Sequence, residues 1–207
     1  MKVTFYMEAA LLFFSVGSAR PESLAIDPVR SVMTIRVFRS GLFSGLAHDH
    51  EIEARGVEGQ VTTTGNQQVS LRVDARKIKV LDPRLSPKDR AEVQETMEGP
   101  KVLDIDRFPE IRFQSTSVTQ KAPTLWQVAG NLTLHGQSRP VTVEVAANGS
   151  RYTGQVTIRQ RDFGIRPVSL FAGTVKVKNE VKIDFDIQTI SAAPSAFAPA
   201  ENGGSAE

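Results

Sequence analysis

Along most of this chain apolar and polar residues take turns. Met33, Ile35 and Val37 alternate with Thr34, Arg36 and Phe38, and Val69, Leu71, Val73 and Ala75 alternate with Ser70, Arg72 and Asp74. The same period returns in "IRFQSTSV", "WQVAGNLTLHG", "PVTVEVAANG", "YTGQVTIRQ", "TVKVKNE" and "VKIDFDIQTI". In the last run Val181, Ile183, Phe185 and Ile187 form one face, and Lys182, Asp184 and Asp186 the other. A period of two predicts strands with one dry and one wet face, the mark of antiparallel sheets. Roughly eight to ten such runs, joined by short turns, predict a closed barrel or a sandwich.

One segment departs from the period. "LSPKDRAEVQETMEG" predicts a helix over Pro87–Glu98. Ser86 suits the N-cap and Pro87 the first helical position, Asp89 follows the cap by three residues, and Gly99 stands just past the end. Val93 and Met97, four apart, form its apolar stripe. The next stretch, "PKVLDIDRFPEIRF", holds Pro100 and Pro109 and reads as an extended loop. The predicted fold class is therefore all-β, an antiparallel β-barrel with one short helix inserted between strands. Small barrels either fill with side chains or enclose one ligand. Phe38, Phe43, Phe113, Trp126, Phe163, Phe171 and Phe185 supply apolar bulk for either, most of it as ordinary core.

Composition narrows the classes. A length of 207 residues suits one domain with spare length at the ends, and 40% apolar with 23% charged residues suits a globular protein. The 25 basic and 23 acidic residues are interspersed, which leaves no footprint for nucleic acid. The chain has no cysteine, which excludes disulfides, thiolate metal sites and a cysteine nucleophile. Lys2, the apolar stretch Ala9 to Val16 and the small residues Gly17-Ser18-Ala19 read as an export signal over residues 1–19. Its apolar run is far short of the roughly 20 residues that span a bilayer, so no stable membrane insertion is expected. Residues 191–207, rich in Ala, Ser, Pro and Gly, read as a disordered tail, which leaves a domain over residues 25–190.

Candidate chemistry centres on "AHDHEIEA". On a strand, His48, His50, Ile52 and Ala54 share one face, while Asp49, Glu51, Glu53 and Arg55 share the other. The acidic face must be the solvated one, so both imidazoles point toward the interior or its mouth. Two inward imidazoles at i and i+2 suit polar contacts at a cavity mouth, a structural hydrogen-bonded pair, a metal site or a catalytic pair. The remaining histidine, His135, stands beside a turn at Gly136 and reads as structural.

The runs "VLDIDRFPEIRFQSTSV", "WQVAGNLTLHGQSRPVTVEV" and "RDFGIRPVSLFAGTVKVKNEVKIDFDI" together resemble the YceI-like family. The resemblance covers nearly all of the proposed domain and implies an extended lipocalin-like barrel, often periplasmic. It also implies a lipid carrier or store rather than an enzyme, with a polyisoprenoid or similar amphiphile in an elongated apolar tunnel. Many members of the family are homodimers, and a stress-induced role is a further expectation for this chain. On that reading Phe38, Phe43, Trp126, Phe163, Ile165 and Phe171 would line the cavity, and His48 and His50 would sit near its polar end. No catalytic residue, metal or cofactor is expected. The alternative is a metal-binding or redox-associated protein built on His48 and His50.

Other motifs carry little. Asp162-Phe163-Gly164 lacks the glycine-rich loop, strand lysine and catalytic loop that a kinase needs. Arg166, Lys176 and Lys178 are cations that could meet an anionic head group, with a solvated face as their default. No nucleophile elbow, phosphate-cradling glycine loop or carboxylate pair stands out.

Overall fold

The computed structural model describes residues 22–40, 50–170 and 175–191. The expectations for the export signal, His48, Phe43, Phe171, the Lys176 side chain and the tail past 191 fall outside what is described.

Among the described residues twelve strands, one α-helix and two short 3-10 turns follow in chain order. The first six strands are β1 (Ser23–Ile26), β2 (Val32–Ser40), β3 (His50–Arg55), β4 (Glu58–Thr62), β5 (Gln68–Asp74) and β6 (Ile78–Val80). Helix α1 (Pro87–Glu98) intervenes before β7 (Glu110–Ala122), β8 (Leu125–Leu134), β9 (Gln137–Asn148) and β10 (Arg151–Arg159). The short β11 (Ser169–Leu170) and the long β12 (Val175–Ser191) complete the chain. All pairings are antiparallel. Hydrogen bonding runs β1-β4-β5-β7-β8-β9-β10-β12 and returns to β1, which closes an eight-stranded barrel. β12 also pairs with β2, and β2-β3-β6 carry the sheet away from the barrel as a second layer.

That branching makes demands on β12. Its outer edge pairs with β2 as far as Asp186↔Val32 and with β1 from Thr189↔Ile26 onward. Gln188 falls in the gap, and Ser31 fills it. The Ser31 hydroxyl, wholly buried, accepts from the Gln188 backbone N–H at 3.0 Å and donates to its carbonyl at 3.3 Å. The Asp27 N–H donates to the same carbonyl at 2.8 Å.

Two clusters of buried apolar residues adjoin the wall of the barrel's lumen. One cluster joins Ile52 and Ala54 of β3, Ile78 and Val80 of β6, Val61 of β4, Val73 of β5 and Met97 of α1. A second holds Leu134, Ile158, Phe163, Ile165 and Val181. The β2-β3-β6 layer thus folds against β4 and β5 and plugs the barrel's lower half.

The helix has the expected bounds, and the Ser86 hydroxyl caps it by accepting from the Asp89 N–H at 3.1 Å. Among its described residues only Met97 is fully buried. Its other anchor is polar. Gln94 Oε1 accepts from the Val80 N–H at 2.8 Å, and its Nε2 donates to the Ile78 carbonyl at 2.8 Å, so an amide side chain stands in for the next strand along the β6 edge. The stretch after the helix is coiled into turns rather than extended. Asp104, with φ at 49°, donates its N–H to the Gly99 carbonyl and accepts from the N–H groups of Arg107 and Phe108. Aspartate tolerates that left-handed geometry better than most residues.

Two variants test these polar anchors. Ser31→Ala takes away the partner of the part-buried Gln188 N–H, while the Gln188 carbonyl keeps the Asp27 N–H, and should lower stability by about 1 kcal/mol in urea unfolding. Gln94→Ala should cost about 1 kcal/mol and, by baring the β6 edge, raise concentration-dependent aggregation seen in light scattering.

Candidate functional site: an uncharged cavity in the barrel

The upper half of the barrel is hollow. The strands there bring inward their alternate residues, chiefly valines. Val141, Val143 and Val145 of β9 face Ile183, Phe185 and Ile187 of β12 and Val69 and Leu71 of β5 across a cavity of about 550 Å³. That volume lies within the roughly 300–1,000 Å³ usual for small-molecule sites. Leu132, Val156 and Ile183 mark its depth, and among the described residues none that lines it carries a charge.

Two glycines widen the bore. A β-carbon at Gly154 would lie 2.5 Å from the Phe185 ring and 2.3 Å from the Glu144 carbonyl. One at Gly130 would lie 2.5 Å from the Phe113 ring. Each ring therefore occupies the space of a missing side chain on a neighbouring strand instead of crossing the lumen.

The rim is polar but neutral. Thr62, Thr63, Gln67, Thr124, Asn148 and Tyr152 surround the opening. Gln67 Nε2 donates to the Thr63 carbonyl at 3.1 Å, which ties the loop between β4 and β5. Burial pushes the Tyr152 phenol above its ordinary range and nearby Glu22 adds to the rise, against a hydrogen bond with Thr189. The phenol stays protonated and offers both a donor and an acceptor at the rim.

A separate polar cluster stands at the opposite end. His50 pairs with Val37, and Val37 with Val181, seven residues along β12 from the Gln188 that flanks the rim, or roughly 23 Å. His50 shares the inward face of Ile52 and Ala54, while Glu51 and Arg55 are exposed. Its Nδ1 lies 3.4 Å from Oδ2 of Asp82, whose side chain is 1% exposed. The Arg84 N–H donates to Asp82 Oδ1 at 3.1 Å, and the Arg84 guanidinium lies 3.6 Å from it. Burial pushes the Asp82 carboxyl up, but Arg84 and His50 together outweigh it and hold the group below its ordinary value.

The structure therefore separates the residues singled out in the sequence. Trp126, the chain's one tryptophan, lines the cavity. Phe163 and Ile165 are buried in the second core cluster, and His50 sits beside Asp82; none of the three lines the cavity. Phe38 lies on the face opposite Val37, with Lys178 Nζ 5.9 Å from its ring centre. His135 occupies the two-residue turn between β8 and β9, where it and Gly136 both have positive φ, as a type I′ hairpin requires. Its Nδ1 is 3.2 Å from the Phe163 carbonyl, which can only accept, so the proton is on Nδ1. Among the described residues no three His, Asp or Glu side chains converge to hold a metal ion. Asp82 and the rim residues went unnoticed in the sequence; only the turn-forming Asp82-Pro83 step could have drawn attention to the first.

Comparison with known proteins adds to this geometry. A family model, the YceI-like domain, matches residues 24–189. A UPF0312 protein of Pseudomonas syringae pv. syringae is 30% identical over 88 residues, 38% of this chain and 46% of its own length. A UPF0312 protein of Shewanella oneidensis is 31% identical over 88 residues, with the same shares. The chain thus aligns with a little under half the length of these curated relatives. BcnA of Burkholderia cenocepacia has the same fold, with a TM-score of 0.60 at 19% identity over 78% of this chain and 98% of that one. So does a polyisoprenoid-binding domain from Saccharophagus degradans implicated in plant cell wall breakdown, with a TM-score of 0.55 at 13% identity over 83% and 99%.

The Asp82 cluster makes a pH-dependent prediction. A carboxyl whose folded pKa is depressed contributes stability above its unfolded value, about 3.9, and loses it as pH falls through the folded value. Asp82→Asn should therefore lower stability at about pH 7 by about 1–3 kcal/mol and flatten the acid limb below about pH 4. Urea midpoints measured across that range check both.

Proposed function

This chain belongs to the YceI-like domain family, and on that premise we propose that it binds a long-chain isoprenoid or similar amphiphile non-covalently in the barrel, as carrier or store. The observation that carries this reading is the cavity's described lining, apolar along its depth, neutral and hydrogen-bonding at its rim, with no charged side chain among the described residues. An isoprenoid tail has no polar group to direct it, so its affinity must come from apolar area, at roughly 25 cal/mol per Å². A hydroxyl or carbonyl head would find Tyr152, Asn148, Thr63 and Gln67 at the rim. A phosphate or carboxylate drawn into the lumen would lose its hydration with no cation among the described lining residues to replace it.

The likeness to a polyisoprenoid-binding domain supports the ligand class, and the resemblance of the family to binding proteins supports a role without catalysis. Export belongs to the same proposal and rests on the sequence of residues 1–19 alone. Amino-terminal sequencing of protein recovered from the host's periplasm tests it.

Native mass spectrometry of the purified protein, followed by organic extraction, tests the ligand. We expect a co-purifying neutral isoprenoid, and a chain that neither carries one nor takes up an added isoprenoid alcohol refutes the reading. Ala147→Trp places an indole among Trp126, Val145 and Tyr152, where it displaces several methylenes of ligand. At about 0.8 kcal/mol for each, affinity should fall by about 100-fold while the urea midpoint stays close to that of the parent.

A further inference from the structure

The cavity has a floor. On β8, β10 and β12 the inward residues Leu132, Val156 and Ile183 line it, and the next inward residue on each strand, Leu134, Ile158 and Val181, is buried in the second core cluster. On β5 the same step leads from Leu71 in the lining to Val73 in the first cluster. Register links these steps, since Leu71 pairs with Phe113 and Phe113 with Leu132, while Val156 pairs with Ile183. Ile35 of β2, Ile111 of β7 and Val102 and Leu103 of the turn after the helix pack against both clusters and join them. Below the point where β9 and β10 stop pairing, the turn Gln160–Phe163 packs against both strands, and its Phe163 is buried. Among the described residues the lumen is thus a blind pocket, entered from the Tyr152 rim.

A blind pocket has a capacity. A water molecule's share of its liquid is about 30 Å³, and a chain carbon needs a similar share, so a lumen of about 550 Å³ takes about 18 heavy atoms. Its length gives the same answer. The lining runs along β8 from Trp126 to Leu132, a span of roughly 20 Å. Three backbone bonds span roughly 3.3–3.6 Å when extended, so the four bonds of an isoprene unit span roughly 4.5–5 Å. By volume and by length the pocket holds about four isoprene units.

We propose that the cavity measures its ligand and selects a neutral isoprenoid of about four units. The inference rests on the isoprenoid reading and deepens it by naming the chain length. A chain of that length reaches the floor with its head still at the Tyr152 rim. The excess of a longer chain can go only back through the rim, where it draws the head away from its hydrogen-bonding partners and bares apolar surface to water.

The test compares geraniol, farnesol, geranylgeraniol and solanesol, alcohols of two, three, four and nine isoprene units, in the same neutral detergent. Emission from Trp126, which lines the cavity, follows binding. Geranylgeraniol should bind at least as tightly as the two shorter alcohols, and solanesol about tenfold more weakly or worse. Solanesol bound as tightly as geranylgeraniol overturns the measure and leaves the isoprenoid reading standing. Binding of none of the four overturns both. Val156→Phe raises the floor by close to one isoprene unit. It should weaken geranylgeraniol by about tenfold and leave geraniol within about twofold. An equal loss for both, in protein with the parent's urea midpoint, overturns the inference. Leu132→Phe, at the same depth, makes the same comparison should Val156→Phe not fold, and the wild-type series decides without either.

Discussion

The hollow depends on how one strand divides its hydrogen bonds. β12 spends one edge on β10 and shares the other between β2 and β1, and the transfer happens at Gln188. A buried backbone group without a partner costs about as much as a lost hydrogen bond, so a branched sheet needs something at the branch point. The Ser31 hydroxyl does both jobs there, accepting from one group of Gln188 and donating to the other. With that junction satisfied, β1 can close the barrel near the rim while β2 leads β3 and β6 across the other half. The filled lower half and the empty upper half are two consequences of the same branch.

Why the upper half stays empty is a matter of side-chain size. Strands β2, β4, β5, β7 to β10 and β12 contribute the inward positions of the lumen, and β9 fills its share with Val141, Val143, Val145 and Ala147. The larger rings of Phe113 and Phe185 are accommodated over Gly130 and Gly154, where the neighbouring strand has no β-carbon. Packed interiors tolerate few voids larger than a water molecule. A lumen of about 550 Å³ bounded by such small side chains is therefore a built feature of the fold, and the absence of polar groups along its depth makes it a poor place for water.

Much of this was legible from alternation. It marked the inward faces of β2, β5, β7 to β10 and β12, and the cap, proline and glycine around α1 marked the helix to the residue. It also placed His50 on the face of Ile52 and Ala54. What escaped it depends on partners far apart in the chain. Period two says that Val143 points inward but is silent on whether anything meets it, so bulky aromatics drew attention while valines formed the wall. Phe163 looked like a cavity residue and instead anchors the far core, because the chain turns at Gly164, φ 75°, directly after it. Gln94 drew no attention, because its partners, Ile78 and Val80, belong to a three-residue strand too short to show a period. The burial of Asp82 likewise follows from β6 and β3 coming together, which no local pattern around it reveals.

The distribution of charge completes the physical case for a neutral ligand. On the outer wall Arg36 pairs with Asp184, Arg72 with Glu58, and Arg151 with Asp186, all in contact with solvent. Asp82 is the instructive exception, a carboxylate withdrawn from water. To remain ionised it takes a backbone N–H, a guanidinium and an imidazole, all within 3.6 Å. Among the described residues that line the lumen there is no such set. An anionic group entering it would face the same loss of hydration that Asp82 faces with none of the compensation, so its favourable place is outside, in the water beyond the rim. For the proposed isoprenoid, discrimination would then lie less in recognising a head group than in refusing to bury a charged one, with the affinity left to the tail.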